Sequence, residues 1–168
     1  MTMEFDAPIM APTEAVRPEW IDHNGHLNMA YYNVLFDHGV DHMFELLGCG
    51  SDYVKARNFS IFTAEVHVRY LRELKVGARV RATVRLLAHD GRKLHIFQEL
   101  HHEEGWVAAS SEGLFLHVDL GGPKVVAFPD DIAERLLALQ RCHDRLPRPE
   151  GAGRRIGLKP SDALEATA

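Results

Sequence analysis

"LNMAYYNVLFDHGVDHMFELL", Leu27 to Leu47, decides the architecture. Read at helical spacing, Met29, Tyr32, Phe36, Val40, Met43 and Leu47 fall on one line, with Leu35 and Phe44 beside it. The polar residues Asp37, His38, Asp41, His42 and Glu45 collapse into one narrow stripe. A helix of about five turns that is apolar around most of its circumference must be wrapped by other elements rather than laid on a surface. "GCGS", 48–51, ends it with glycines suited to a C-terminal cap.

The strands beyond this helix supply the wrapping. After a loop through Arg57 the chain turns strand-like for about sixty residues. In "SIFTAEVHVRYL", 60–71, Phe62, Ala64, Val66, Val68 and Tyr70 alternate with Thr63, Glu65, His67 and Arg69, which assigns the two sets to opposite faces. "ARVRATVRLLAH", 78–89, alternates likewise. Asp90-Gly91 and Glu104-Gly105 are tight-turn signals leading into "LHIFQELHHE" and "WVAASSEGLFLHVDL". These strands read as an antiparallel meander. The fold class expected is therefore α+β, a long central helix wrapped by a curved antiparallel sheet. "MAPTEAVR", 10–17, is a short first strand that Pro12 and Pro18 restrict to an edge or an irregular piece. "PDDIAERLLALQRCHDRL", 129–146, is a second helix with Pro129 and two aspartates at its start. Residues 1–146 form one domain. Residues 147–168, rich in Pro, Gly, Arg and Ala without apolar periodicity, read as a flexible tail. No internal repeat is present.

A chain of 168 residues, 46% hydrophobic and 26% charged, suits one globular domain. Its net charge of −5 argues against nucleic acid as a partner. Two cysteines, Cys49 and Cys142, form neither a disulfide framework nor a thiolate metal site, and fit a reducing cytoplasm. The N-terminus lacks a leader pattern, and no segment reaches the ~18 consecutive apolar residues of a membrane helix. A soluble, cytoplasmic protein without a membrane partner is expected.

The chemistry concentrates just before the long helix, in "WIDHNGHLNMAYY", 20–32. The free backbone N–H groups at the helix start point back at the loop from Asp22 to His26 and favour an oxyanion or an acyl carbonyl oxygen. Gly25 permits a left-handed turn and close approach of a substrate to the backbone. Asp22 can face the same carbonyl as a nucleophile or as the base for a water. That is the minimum apparatus for acyl-transfer hydrolysis, and a thioester suits it because thiolate leaves readily. The competing reading is an ordinary turn ending in an Asn28 helix cap, which local chemistry alone favours. A cap on a wrapped helix, however, lies at the edge of a core.

The pattern D-x-N-G-H-x-N at the mouth of a long helix resembles the active-site loop of hotdog-fold thioesterases of the 4-hydroxybenzoyl-CoA type. Its spacing also resembles that of plant acyl-ACP thioesterases. "FTAEVHVRYLREL", "DGRKLHIFQEL" and "EGLFLHVD" resemble the betainyl-CoA thioesterases and those fused to carnitine dehydrogenases. The likeness runs from about Val16 to Leu139. It implies a hotdog domain that is at least dimeric, as a homodimer or a dimer of dimers, with sheets joined edge to edge and sites completed between subunits. It implies hydrolysis of an acyl-CoA thioester, coenzyme A being part of the substrate and no separate cofactor needed. By the same likeness, Asp22 is the catalytic carboxylate, Gly25 the glycine of the loop, and the Met29 N–H polarises the carbonyl. Asn24 and His26 bind and activate the reacting groups, Asn28 closes the motif, and Asp37 takes a supporting role. The acyl group, the choice between CoA and acyl carrier protein, and the direct or water-mediated action of Asp22 stay open.

Other residues divide between roles. Thr63, Glu65 and Arg69, with His67, line a pocket between subunits or else meet a neighbouring dimer or solvent. Glu73 aligns with an acid of the acyl-ACP pattern but sits near a turn, where a solvated charge is the simpler reading. His38 and His42 have the spacing of a metal pair, yet "HGVDH" lacks the glutamate of H-E-x-x-H, and no metal is expected. Arg57, Arg69, Arg72 and Arg92 are candidates for the CoA phosphates. Two rival functions are a hydratase or dehydratase on the same fold, which uses a longer motif, and a non-catalytic acyl-CoA binder.

Overall fold

A computed structural model describes residues 4–158. The elements in chain order are β1 (Ile9–Met10), β2 (Glu14–Ala15), a 3-10 turn (Pro18–Trp20), α1 (Met29–Leu47), α2 (Ser51–Arg57), β3 (Phe59–Tyr70), β4 (Arg79–His89), β5 (Lys93–His102), β6 (Val107–Asp119), β7 (Lys124–Val125) and α3 (Asp130–His143). The sheet is antiparallel with strand order β1-β4-β5-β6-β3, β2 also pairing with β4 and β7 with β6. The expected first strand is thus two short pieces on one partner, broken around Pro12, whose ring offers no N–H to the ladder.

Helix α1 lies against this sheet as its sequence demands. Met43 and Leu47 are wholly buried, and Tyr32, Leu35, Phe36 and Val40 are nearly so. Two clusters make up the core. One gathers the C-terminal half of α1 with Leu86, Ile96, Phe115, Ile132 and Leu136, and the other gathers its N-terminal half with Trp20, Leu27, Leu74, Val80 and Leu100. Gly39 sets the contact distance, since a Cβ there would meet Ala82 Cβ at 2.9 Å and run into the Gln98 side chain. Gly48, in left-handed conformation at φ 78°, ends the helix.

The structure departs from the sequence reading in three places. The strands do not form a simple meander, because β3 pairs with β6 at the far edge rather than with β4. The connection 71–78 therefore crosses the end of the sheet. On the way it donates Leu71 and Arg72 N–H to Ala108 O, receives Leu27 N–H on Leu74 O, and receives Val16 N–H on Ala78 O. This crossing supports the loop that precedes α1. Second, a bulge at Ala64, between Thr63 and Glu65, breaks the alternation of β3. Thr63 consequently shares the helix-facing side with Ile61, Val66, Val68 and Tyr70, while Phe62 turns outward with Glu65 and is 45% exposed. Third, 51–57 is a short helix rather than a loop, docked by the buried Tyr53.

Of the segment read as a tail, residues 147–158 are described, and part of it crosses the outer face of the sheet. Arg85 donates to the carbonyls of His143, Leu146 and Pro147, and Gly153 N–H donates to Glu112 Oε2 at 2.7 Å. Residues 159–168 lie outside the described residues.

Two buried histidines tie the periphery to the core. His117 Nδ1–H donates to Val126 O at 3.0 Å, so its Nε2 accepts from the Tyr53 hydroxyl at 2.8 Å. His143 Nδ1 accepts Leu86 N–H at 2.9 Å, which leaves Nε2–H to donate to Asp6 O at 3.1 Å. Both rings are therefore neutral, and burial holds both pKa values below the ordinary histidine value. A depressed histidine pKa means that the unfolded chain binds protons first. The stabilisation is complete above the unfolded value of about 6.5 and is lost as pH falls from there through the folded values. Thermal midpoints measured across this range are expected to fall with pH, and His143→Gln, which cannot become cationic, is expected to show a shallower fall than the wild type.

Candidate active site

The loop 20–28 is a miniature hairpin. Trp20 is buried, stacked on Tyr31 at 5.5 Å, with the Arg17 guanidinium 4.8 Å from its ring. Ile21 and Leu27 pair as a single bridge, and Asp22 N–H donates to His26 O at 3.0 Å. Gly25 N–H closes the turn on Asp22 O at 3.0 Å, with Gly25 at φ +77°, a conformation that favours glycine. Asn24 N–H donates to Asp22 Oδ1 at 2.8 Å. One carboxylate oxygen thus orders the turn, and the other is left for the pocket the residue lines.

Asn28 then starts the helix. Its backbone N–H donates to Trp20 O at 2.9 Å, and its side-chain oxygen accepts Ala30 N–H at 2.9 Å. Met29, the first helical residue and 65% exposed, has an N–H with no intrahelical acceptor. The helix dipole adds partial positive charge at the same point.

Around this start is a surface pocket of about 310 Å³ whose lining includes Asp22, His26, Met29, Tyr70, Arg72 and Glu73. The Tyr70 hydroxyl donates to Met29 O at 3.2 Å, and the ring packs edge-on against Tyr32 at 5.1 Å. His26 Nε2 lies 3.0 Å from Glu73 Oε2, both side chains being partly exposed. With Nε2 engaged by the carboxylate, Nδ1 is the nitrogen left for other partners.

The structure thus brings Asp22, His26 and the Met29 N–H together, with Gly25 and Asn28 as the backbone devices that place them. Asn24 is exposed on the turn. Thr63, Glu65 and Arg69 are elsewhere within one protomer. Thr63 lines a second pocket, of about 290 Å³, between α1 and the sheet, with Asp37, Gln98, Ser111 and Phe115. Asp37 is the one charged side chain of that lining, and the buried Gln98 Oε1 has no hydrogen-bond partner there. Glu65 and His67 are on the outer face near His95 and Glu112, themselves paired at 2.7 Å. Arg69 stands against Gly151 of the C-terminal segment. Two pocket residues escaped the sequence reading: Tyr70, taken only as part of an apolar face, and Glu73, taken as a solvated charge. Their signal is position, since Tyr70 ends β3 where the crossing that carries the loop begins and Glu73 lies on that crossing. His38, considered as a metal ligand, pairs with Glu14 at 2.9 Å. Among the described residues no three His, Cys, Asp or Glu side chains converge as a metal site, and no helix is long and apolar enough to span a membrane.

Comparison with known proteins places this geometry. Residues 16–136 match the family model of the thioesterase-like superfamily. The chain is 42% identical over 146 residues to a betainyl-CoA thioesterase of Pseudomonas aeruginosa, covering 86% of this chain and 92% of that one. It is 36% identical over 155 residues to an L-carnitine dehydrogenase/betainyl-CoA thioesterase of Ruegeria pomeroyi, covering 92% of this chain and 31% of that longer protein. Among solved structures, a Staphylococcus aureus protein in complex with CoA superposes with a TM-score of 0.84 at 25% identity, over 94% of this chain and all of that one. A putative thioesterase of Pseudomonas putida does so with a TM-score of 0.79 at 30% identity, over 92% and 99%. A long helix packed against an antiparallel sheet, with its open start on a pocket that a carboxylate also lines, agrees with these likenesses: the chain belongs to the hotdog-fold thioesterase-like superfamily and is a thioester hydrolase.

Proposed function

We propose that this protein hydrolyses an acyl-CoA thioester to the free acid and CoA, with betainyl-CoA as its substrate. The observation that carries the reading is the presence of Asp22 and the start of α1 on the rim of one pocket. The thioester oxygen takes the Met29 N–H and the positive end of the helix, so that charge developing on it is stabilised in the transition state. Asp22 acts as base for a water or as the nucleophile. In the first course the carboxylate accepts the water proton as the hydroxyl bonds to the acyl carbon, the C–S bond breaks, and thiolate leaves to take a proton. In the second the Asp22 carboxylate bonds to the acyl carbon as the C–S bond breaks and thiolate leaves to take a proton, and water then cleaves the acyl–Asp22 anhydride to the free acid and the Asp22 carboxylate. Glu73 orients His26, which with Asn24 and Asn28 orders substrate and loop.

The choice of acyl group rests on the 42% identity to a betainyl-CoA thioesterase and on charge. A trimethylammonium group suits an apolar pocket whose one charged residue is Asp37. Asp37 is eight positions beyond Met29 on α1, about 12 Å at ~1.5 Å per residue. The betainyl nitrogen is one methylene from its carbonyl carbon. The Asp37 pocket therefore serves the catalytic loop of a second protomer, in a dimer formed along β3. Among the described residues that strand pairs only with β6, and it leaves Phe62, Val66 and Tyr70 more than 40% exposed. Both cysteines are free, as in a reducing cytoplasm, and burial pushes the Cys49 thiol up to about 12.

Thiol release from a panel of acyl-CoAs tests the reading. Betainyl-CoA is expected to be cleaved, and Asp22→Ala is expected to lower kcat/KM by about 10²–10⁴-fold, the range for a lost acid–base group. Turnover of no acyl-CoA, or full activity in Asp22→Ala, would refute it. Asp37→Asn is expected to raise KM for betainyl-CoA about tenfold, the equivalent of one ~1.4 kcal/mol contact. It should leave KM for the uncharged isostere 3,3-dimethylbutyryl-CoA within about twofold, whereas equal effects on the two would remove Asp37 from acyl selection.

A further inference from the structure

Arg72 is the one Lys or Arg in the lining of the Asp22 pocket, and it has an unusual support. Its guanidinium lies 4.1 Å from the centroid of the Trp106 ring. The other partner of that indole is His102, stacked at 4.3 Å with planes 10° apart. Trp106 is fixed in turn by its Nε1–H donating to Glu104 Oε2 at 2.9 Å, and Arg72 by its backbone N–H on Ala108 O at 3.0 Å. Among the described residues the Arg72 guanidinium has no hydrogen bond or ion pair. Its neighbour Glu73 is engaged with His26 instead.

A guanidinium held 4.1 Å over an aromatic ring has little conformational freedom still to lose, and its planar set of N–H donors suits two oxygens of an oxyanion. The electrostatics call for such a group. The pocket carries the carboxylates of Asp22 and Glu73, and the whole chain has a net charge of −5, whereas a CoA ester is a polyanion. Without a local cation the site would repel the carrier it must bind. The pocket, at about 310 Å³, holds the thioester end only, so the remainder of the carrier must leave across its rim. We propose that Arg72, held on the Trp106–His102 stack, is a binding residue for a phosphate group of the CoA carrier. This rests on the acyl-CoA reading and adds to it the residue that recognises the carrier rather than the acyl group.

Titration calorimetry on the intact protein with CoA and with pantetheine, which lacks the phosphates, tests it without turnover. Arg72→Ala, and Arg72→Gln as a variant that keeps most of the stem, are expected to weaken CoA about tenfold, the loss of one charge-assisted contact. Affinity for pantetheine is expected to stay within about twofold. Arg72→Lys, which keeps the charge and loses the planar fork, is expected to fall between. Arg141→Ala, an exposed position on α3, serves as the control for a generic loss of positive charge. CoA binding unchanged in both Arg72→Ala and Arg72→Gln, equal weakening of CoA and pantetheine, or an equal effect of Arg141→Ala would overturn the assignment. Thiol release from acyl-CoAs is scored separately. Hydrolysis with Arg72-independent CoA binding overturns Arg72 alone, and Arg72-dependent CoA binding without hydrolysis overturns the hydrolase reading alone.

Discussion

A helix buried along one side against a sheet bonds its N–H groups internally everywhere but at its start, where they point along its own axis. In this protein that constraint organises the rest. The burial of Tyr32, Phe36, Val40, Met43 and Leu47 fixes α1 against the sheet, and the glycine at position 39 lets the two approach over Gln98. The helix start is then a fixed point at the sheet end, on the rim of the pocket that Asp22 also lines. The Ile21–Leu27 bridge and the Leu27 N–H bond to Leu74 O hold the loop there, so Asp22 is set by the same backbone bonds that begin the helix. The Asn28 cap and the Asp22 loop are one structure: Asn28 satisfies Ala30 N–H, and Met29 N–H is left without an intrahelical acceptor.

Much of this was legible in the sequence because it is local. The apolar circumference of 27–47, the glycine stop, the turns at Asp90-Gly91 and Glu104-Gly105 and the start of the last helix each depend on residues within a few positions of one another. Strand order does not. That β3 should pair with β6 and not β4 depends on where the crossing 71–78 runs, and on that path Leu74 joins the buried cluster of Trp20 and Leu27 and accepts Leu27 N–H. The bulge at Ala64 was hidden for a related reason. A strict alternation of residue types fits an unbroken strand as well as one whose parity shifts midway, and only the partner strand reveals the shift. Its effect was specific, since it moved Thr63 to the face opposite Glu65.

The candidate site divides in the same way. Asp22, Gly25, His26, Asn28 and Met29 sit within eight positions, and their motif could be read directly. Tyr70, at the end of β3, and Arg72 and Glu73, on the crossing, arrive from about forty residues downstream. In the sequence Arg72 is one of four candidates for a phosphate and Glu73 reads as a solvated charge despite its likeness to an acyl-ACP acid, because nothing local shows that they meet the loop. Within one protomer the two pockets share no lining residue. The Asp22 pocket and the Asp37 pocket lie at different levels of α1, and in the proposed dimer each loop faces its neighbour's pocket.

In the proposed mechanism the start of α1 polarises the thioester carbonyl while Asp22 attacks it or directs water to it. Infrared difference spectroscopy of betainyl-CoA, carbonyl-labelled with carbon-13 and bound to the slow Asp22→Asn variant, reads that polarisation directly. The carbonyl stretch is expected at lower frequency than in water, as for an oxygen held by a backbone N–H at a helix terminus. A bound thioester whose stretch matches or exceeds the aqueous frequency would contradict it.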